Sequence, residues 1–265
     1  MRRLVHSDIE AMMRLKDAAG WNQTEADLVR NLELEPEGCF AIDCDGRVVS
    51  TTTVVNYGTE LAWIGMVVTD PEFRGRGFAR ALFAHALEWL DSRGVACAKL
   101  DASSMGEPLY RSFGFEVECA IERWVRKSLP HGRGSDEAQV ASEFQLDRRV
   151  FAADRARLLH SLARIGSIDL GGGQYAMGRS GSNAAYFGPM IALDAETARR
   201  GLEWFLHSNG ESTIYWDLFP SNAAAVQLAR EYGFAPARQL ARMRRGNAAT
   251  PELTNIYAIA GFEYG

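Results

Sequence analysis

Cysteine is scarce and poorly placed for cross-linking. The chain holds 4, at Cys39, Cys44, Cys97 and Cys119, with no Cys-x-x-Cys pair and none in the second half. A disulfide framework or a metal site needs tighter clustering with histidine, so the expectation is no metal and four reduced thiols in a cytoplasmic protein. Long apolar runs are missing too. None approaches the roughly 20 residues that span a bilayer, so no membrane partner is expected. The opening residues, Met1-Arg2-Arg3-Leu4-Val5-His6-Ser7-Asp8, are charged and lack the apolar stretch of a secretion signal. Positive charge is not in excess either, with 29 Lys+Arg against 34 Asp+Glu and a net charge of -5. That balance argues against nucleic acid as a partner. Lysine is nearly absent (Lys16, Lys99 and Lys127), but the arginines are spread along the chain and point to no function.

What the sequence does have is an ordinary globular interior, 47% hydrophobic over 265 residues. That suffices for one large domain or two modest ones. Residues 1–130 read as alternating helix and strand. A strand at Arg2–Val5 leads to helices over Ser7–Ala19 and Thr24–Leu34, the second with a capping box of Thr24 and Asp27. Strands at Cys39–Asp43, Arg47–Tyr57 and Glu60–Val68 follow, with turns at Asp45-Gly46 and Gly58. The spacing then predicts a helix over Gly77–Arg93, stopped by Gly94. A strand at Val95–Leu100, a short helix at Glu107–Phe113 and a strand at Phe115–Val125 complete this half.

Leu129-Pro130-His131-Gly132-Arg133-Gly134-Ser135-Asp136 has no apolar period and reads as a linker, placed at 129–138 between domains at 1–128 and 139–265. The whole net charge falls in the first 130 residues, and the remainder is balanced. The second half reads as a helix at Asp147–Ala163, strands at Gln174–Arg179 and Ala184–Ala192, a helix from Asp194 or Ala195 to His207, a strand at Thr213–Leu218, a helix at Asn222–Glu231 and a strand at Phe234–Arg244. Gly171-Gly172-Gly173 precedes a strand and reads as a turn, not a phosphate cradle.

One segment carries chemistry. In Trp63-Ile64-Gly65-Met66-Val67-Val68-Thr69-Asp70-Pro71-Glu72-Phe73-Arg74-Gly75-Arg76-Gly77-Phe78-Ala79-Arg80, an apolar strand runs into a loop dense in Arg and Gly, which opens an amphipathic helix. Free N–H groups at such a start converge on one spot, the helix dipole adds positive potential, and glycine admits a phosphate closely. No GK[ST] follows, so it is not a Walker loop. Arg80 stands where a dinucleotide fingerprint has its third glycine. The segment resembles the R/Q-x-x-G-x-G/A motif of the GNAT N-acetyltransferases through Arg74, Gly77 and Ala79. A second block, Leu100-Asp101-Ala102 and then Pro108-Leu109-Tyr110-Arg111-Ser112-Phe113-Gly114-Phe115, resembles that family's later motif.

The resemblance implies an α/β (α+β) fold of two tandem GNAT-like domains, each a mixed, mostly antiparallel twisted sheet flanked by helices. It implies a cleft between strands 4 and 5 for acetyl-CoA as co-substrate. Met66, Val67 and Val68 would pair with the pantetheine arm, and Arg74, Gly75, Arg76, Gly77, Phe78 and Ala79 would hold the diphosphate. An amine would attack the thioester directly while an amide of strand 4 stabilises the oxyanion. Tyr110 would protonate the leaving thiolate. Ser103 stands where many members carry Asn. The general base stays open among Glu60, Asp101 and a water relay. Trp21, Asn22 and Trp63 are the acceptor-side candidates, and His85 reads as a packing or surface residue.

The second half looks like a worn copy. Thr213–Phe234 repeats the later motif, with Asn222 present but Ala229 at the tyrosine position. The stretch from Gly188 to Trp204 is eight residues shorter than that from Gly65 to Trp89, about the size of the phosphate loop. Pro189 also removes a backbone donor there. The copy is expected not to bind CoA but to help shape the acceptor site. The leading function is acetyl transfer to a small-molecule amine by a monomer or homodimer. The alternative is a non-catalytic acyl-CoA-binding sensor or scaffold. The acidic first half would favour a cationic amine.

Overall fold

The computed structural model describes residues 1–127, 141–210 and 212–265. The linker expected at 129–138 lies outside the described residues. Contacts group the chain into two units. The first is Met1–Glu116 with Met243–Ala248 and Phe262–Gly265, and the second is Val117–Arg242 with Ala249–Gly261. Each is a mostly antiparallel sheet flanked by helices.

In the first unit β1 (Arg2–Arg3), β2 (Phe40–Cys44), β3 (Arg47–Asn56) and β4 (Ala62–Thr69) form an antiparallel run, and β5 (Cys97–Ala102) adds parallel to β4. Residues 243–246 close the far side of β5. There Gly246 passes so near the Ala96 carbonyl that a Cβ would sit 2.1 Å from its oxygen. The β2–β3 turn is Asp45-Gly46, both at positive φ (51° and 78°). That is the two-residue hairpin whose handedness matches strand twist.

Helices α1 (Ile9–Ala18) and α2 (Glu25–Leu34) cover one face of this sheet. Met12, Leu15, Leu28 and Leu32 pack on Ala41, Val48, Met66 and Val68. The expected capping box sets the start of α2: Asp27 N donates to Thr24 Oγ1 at 3.3 Å, and Thr24 N donates to Asp27 Oδ2 at 2.9 Å. Helix α3 (Phe78–Ser92) covers the other face with Leu82, Phe83, Ala86 and Leu90 buried at helical spacing. The Phe40 ring meets His85 edge-on at 4.6 Å and Trp89 at 6.3 Å. His85 is a packing residue. The short helix α4 (Glu107–Arg111) follows β5.

The second unit contains β6 (Glu116–Arg126), α5 (Gln145–Phe151), α6 (Ala156–Ala163), β7 (Ser167–Gly171), β8 (Gln174–Arg179), β9 (Ala185–Ile191), α7 (Ala195–Asn209), β10 (Ile214–Leu218), α8 (Ala223–Glu231), β11 (Ala235–Gly246) and β12 (Ile256–Ala258). The strand order is β11-β6-β10-β9-β8-β7, with β12 on β9. Strand β6 pairs antiparallel with β10 over five positions, from Ile214↔Arg126 to Leu218↔Glu122. That ladder places most of β6 in the second unit.

Three local expectations need correction. The single helix expected over Asp147–Ala163 is broken at Ala152, which is left-handed (φ 64°). The break lets Arg155 turn back, donating to Asp147 at 2.8 and 3.0 Å and stacking 3.8 Å over the Phe151 ring. Both charges of that pair are buried. Strand β7 was not expected, and its turn to β8 is the Gly171-Gly172-Gly173 run, all at positive φ. Strand β12 was not expected either.

Candidate active site

Strands β4 and β5 pair only at Ala62↔Ala98 and Trp63↔Lys99. Past that point they part, although β4 continues to Thr69 and β5 to Ala102. The result is a V-shaped opening along the rest of β4. Opposite β3, the register jumps from Thr53↔Gly65 to Thr51↔Val68, so Met66 and Val67 share one partner residue, Thr52. This bulge takes residues out of the ladder and turns the strand. Met66 sits at φ 49°, which costs roughly 1 kcal/mol for a residue with a Cβ. A hydrogen bond from Thr51 Oγ1 to Met66 O at 3.1 Å and burial of its side chain oppose that cost.

At the end of β4, Asp70 anchors the following loop. It is buried and accepts from Arg14 and Arg47, both at 2.6 Å, and from the Glu72 amide at 3.1 Å. Burial opposes ionisation of this carboxyl, but the Glu72 amide and the two guanidiniums outweigh it and hold the group below the usual carboxylate range. The loop then passes Gly75 and Gly77, at φ 75° and 80°. A Cβ at either would meet nothing within 4 Å, so the backbone shape, not crowding, calls for glycine there. Gly77 caps α3 without a side chain, and residues 74–77 are exposed. Arg74 donates to Thr69 O at 3.3 Å, and Arg76 lies 4.8 Å over the Phe73 ring. Backbone donors at a helix start, positive dipole and guanidiniums together fit the diphosphate of CoA.

Tyr110 lies on α4, the short helix that follows β5. Its ring is wedged between Phe83 (4.9 Å) and Phe115 (6.4 Å), and Gly106 leaves room where a Cβ would come within 2.9 Å of Tyr110 Cε2. Burial pushes the hydroxyl up to about 12, so it stays protonated at neutral pH. Ser103 Oγ accepts from the Gly106 amide at 3.3 Å, shaping the turn into α4. Asp101 is half-buried near the open end of β5. Glu60 is exposed in the turn before β4, at the closed end of the V. Six residue steps, roughly 20 Å of extended chain, separate it from Met66. The structure does not bring Glu60 to the bulge.

Of the acceptor-side candidates, Trp21 and Asn22 lie in the connection between α1 and α2, and Trp63 lies on β4. Trp21 is partly buried on the α1–α2 cluster, and Asn22 is buried. Trp63 is 1% exposed, covered by a segment distant in sequence. Its Nε1 donates to Phe262 O at 2.9 Å, and a Cβ on Gly265 would stand 2.7 Å from its ring. Tyr57 Oη donates to Tyr264 O at 2.7 Å, and Tyr264 Oη donates to Asp27 O at 3.0 Å. Gln23 Nε2 donates to Glu263 Oε2 at 2.8 Å. Glu263 was not among the expected site residues. Four residues without apolar period, some two hundred positions from their partners, leave no local signal.

In the second unit the corresponding opening is filled. Strands β9 and β10 pair in parallel over Ile214↔Ala185, Tyr215↔Tyr186 and Trp216↔Phe187. Beyond that, β12 pairs with β9 at Ile256↔Ile191 and Ala258↔Met190, and Ile259 N donates to Asp217 O at 3.1 Å. Trp216 Nε1 donates to Tyr257 O at 2.8 Å, and Asn222 Nδ2 reaches the Thr254 and Ile256 carbonyls, each at 3.1 Å. Between β9 and α7 no glycine loop intervenes.

A parted strand pair, a bulge and a helix start without a side-chain cap make up the candidate site. Residues 6–115 match the Acetyltransferase (GNAT) family and residues 144–258 the Acetyltransferase (GNAT) domain. The chain belongs to the GNAT acetyltransferases, a family in which acetyl-CoA use is general, and it is a GNAT-type N-acetyltransferase with two such domains. It is 24% identical over 263 residues to the holothin acyltransferase of a Pseudoalteromonas species, covering 94% of this chain and 88% of that protein. Among solved structures it is similar to a Pyrococcus horikoshii protein assigned as an acetyltransferase (TM-score 0.86, 23% identity, 100% of this chain and 95% of the other). It is also similar to a tandem GNAT protein from the clavulanic acid biosynthesis pathway (TM-score 0.62, 18% identity, 94% and 98%). At these identities the structural likeness establishes the fold. Among the described residues no helix is long and apolar enough to cross a membrane.

Proposed function

We propose that this protein moves the acetyl group of acetyl-CoA to a primary amine of a small molecule, in a ternary complex, at the first unit. The observation that carries this is the parting of β4 and β5 past Trp63↔Lys99, beside the Arg74–Ala79 loop. Acetyl-CoA supplies an activated thioester carbonyl. Everything else is done by the chain. The loop amides and arginines hold the diphosphate, and the parted edge of Met66–Val68 orients the pantetheine arm. A backbone N–H of that edge faces the carbonyl oxygen as negative charge develops. Tyr110, protonated and buried, gives its proton to the departing sulfur. Ser103, through the O–H left after it accepts from Gly106, supports the pantetheine.

The test is thiol release from acetyl-CoA across a panel of primary amines, with calorimetric binding of acetyl-CoA alongside. Amine-dependent release is expected. Tight binding with no release to any amine would support the sensor reading instead, and absence of binding would end both.

A further inference from the structure

The geometry points to Glu263 as the carboxylate that removes the proton from the attacking amine. This rests on the reading of the β4–β5 opening as the acetyl-transfer site. Three observations on one face of the β4 strand carry it. Gly65 immediately precedes the bulge, and a Cβ there would stand 2.8 Å from Glu263 Cα, 3.0 Å from its Cβ and 3.1 Å from its carbonyl oxygen. Only glycine lets Glu263 lie this close to the strand. Gln23, in the connection between α1 and α2, donates to Glu263 Oε2 at 2.8 Å and fixes the carboxylate. Directly across from Gly65 in the ladder is Thr53, fully buried, whose Oγ1 has no hydrogen-bond partner. Residues opposed in a ladder point to the same face, so this oxygen lies on Glu263's side of the sheet.

The buried charged groups of α1 and α2 have partners of their own. On α1, Lys16 pairs with Asp17 at 2.6 Å, and on α2, Asp27 pairs with Arg30 at 2.6 Å. Lys99 of β5, in register with Trp63, is the buried cation on the adjoining strand. A carboxylate beside the bulge is therefore the group suited to an incoming ammonium, with Thr53 Oγ1 as a second acceptor. Glu263 takes one proton from the ammonium, which frees the nitrogen lone pair. The N–C bond then forms and the C–S bond breaks. The nitrogen loses a second proton, Tyr110 protonates the sulfur, and one proton in all leaves to solvent.

The experiment measures CoA release from acetyl-CoA with butylamine, putrescine and L-lysine methyl ester, and with water alone, since the same base activates water. The expected result for Glu263→Gln is a fall in kcat/KM of about 10²-fold and loss of the acidic limb of its pH profile. The acetyl-CoA Kd and the Tm should stay within error, and Glu263→Asp should recover part of the rate. Thr53→Val is expected to raise KM for the amine with kcat retained. A Glu263→Gln protein with an unchanged rate and an unchanged acidic limb overturns the assignment. So does a wild-type protein that binds acetyl-CoA yet releases CoA to neither amine nor water. Failure of the wild-type protein to bind acetyl-CoA instead overturns the underlying reading of the site.

Discussion

The two units carry the same strand pair in different states. In the first, β4 and β5 part after two paired positions and the edge of Met66–Val68 is left without a partner strand. In the second, β9 and β10 part after three, and β12 fills the space with its own hydrogen bonds. The residues around each opening follow suit. Ser103 shapes a local turn, while Asn222, its counterpart, spends its amide on the carbonyls of Thr254 and Ile256. Tyr110 offers a hydroxyl, and Ala229 offers none. An unpaired strand edge is costly unless a ligand or another strand meets it. The first unit leaves that edge without a partner strand, and the second satisfies it internally.

The largest expected effect that tests this contrast is on binding. Calorimetry should give one acetyl-CoA per chain, because only the first opening is free. Gly77→Asp places a Cβ at φ 80° and a carboxylate where the diphosphate goes. It should weaken binding by about 100-fold, roughly 2.8 kcal/mol. Two equivalents of tight ligand would mean that β12 yields. Next, Tyr110→Phe should lower kcat by about 10²-fold with the acetyl-CoA Kd unchanged. Because burial raises the hydroxyl to about 12, the kcat profile of the wild-type protein should show no falling limb from this group below pH 10. A limb near pH 9 that vanishes in Tyr110→Phe would show that the phenol is not held in its neutral form.

Asn222→Ala should destabilise by about 1–3 kcal/mol, since it strips the buried amide from two carbonyls and removes the α8 cap. Calorimetric Tm measures this, and faster hydrogen exchange in 253–259 would localise it to β12. Without a loop like Arg74–Ala79, the variant should gain no CoA binding. Asp70→Asn is smaller at neutral pH and has a defined pH signature. Its carboxyl titrates low in the folded state, so its stabilisation is complete above about pH 4 and is lost as pH falls through the folded value. Stability curves of the variant and wild-type proteins should therefore converge in acid. Smallest is the thiol test. Burial raises Cys39 to about 12, so alkylation at pH 8 should leave it untouched in the native protein.

The cofactor side of the candidate site could be proposed from the sequence because it is local. Arg74, Gly77 and Ala79 lie within one loop, Tyr110 stands four residues before Gly114, and both blocks resemble motifs of one family. The short connection from β9 to α7 was also legible, from the eight missing residues. What filled the second unit's opening was not. Ile256–Ala258 is three residues long, too short for a period, and pairs with a strand over sixty positions earlier. The break at Ala152 was hidden because Phe151–Asp154 contains nothing that opposes a helix; the buried Arg155–Asp147 pair decides it. Glu263 is the extreme case, separated from Gln23 by 240 positions.

That separation also sets an order of events during synthesis. Trp63 waits for Phe262, 199 positions later, and Tyr57 waits for Tyr264, 207 later. At about 5–20 residues per second, the ribosome needs roughly 10–40 s to deliver them. Throughout that interval Trp63 and Gly65 lack their cover, and for most of it the strand beyond β5 is missing as well. The half of the sequence made first is thus completed only once residues 262–265 have been made.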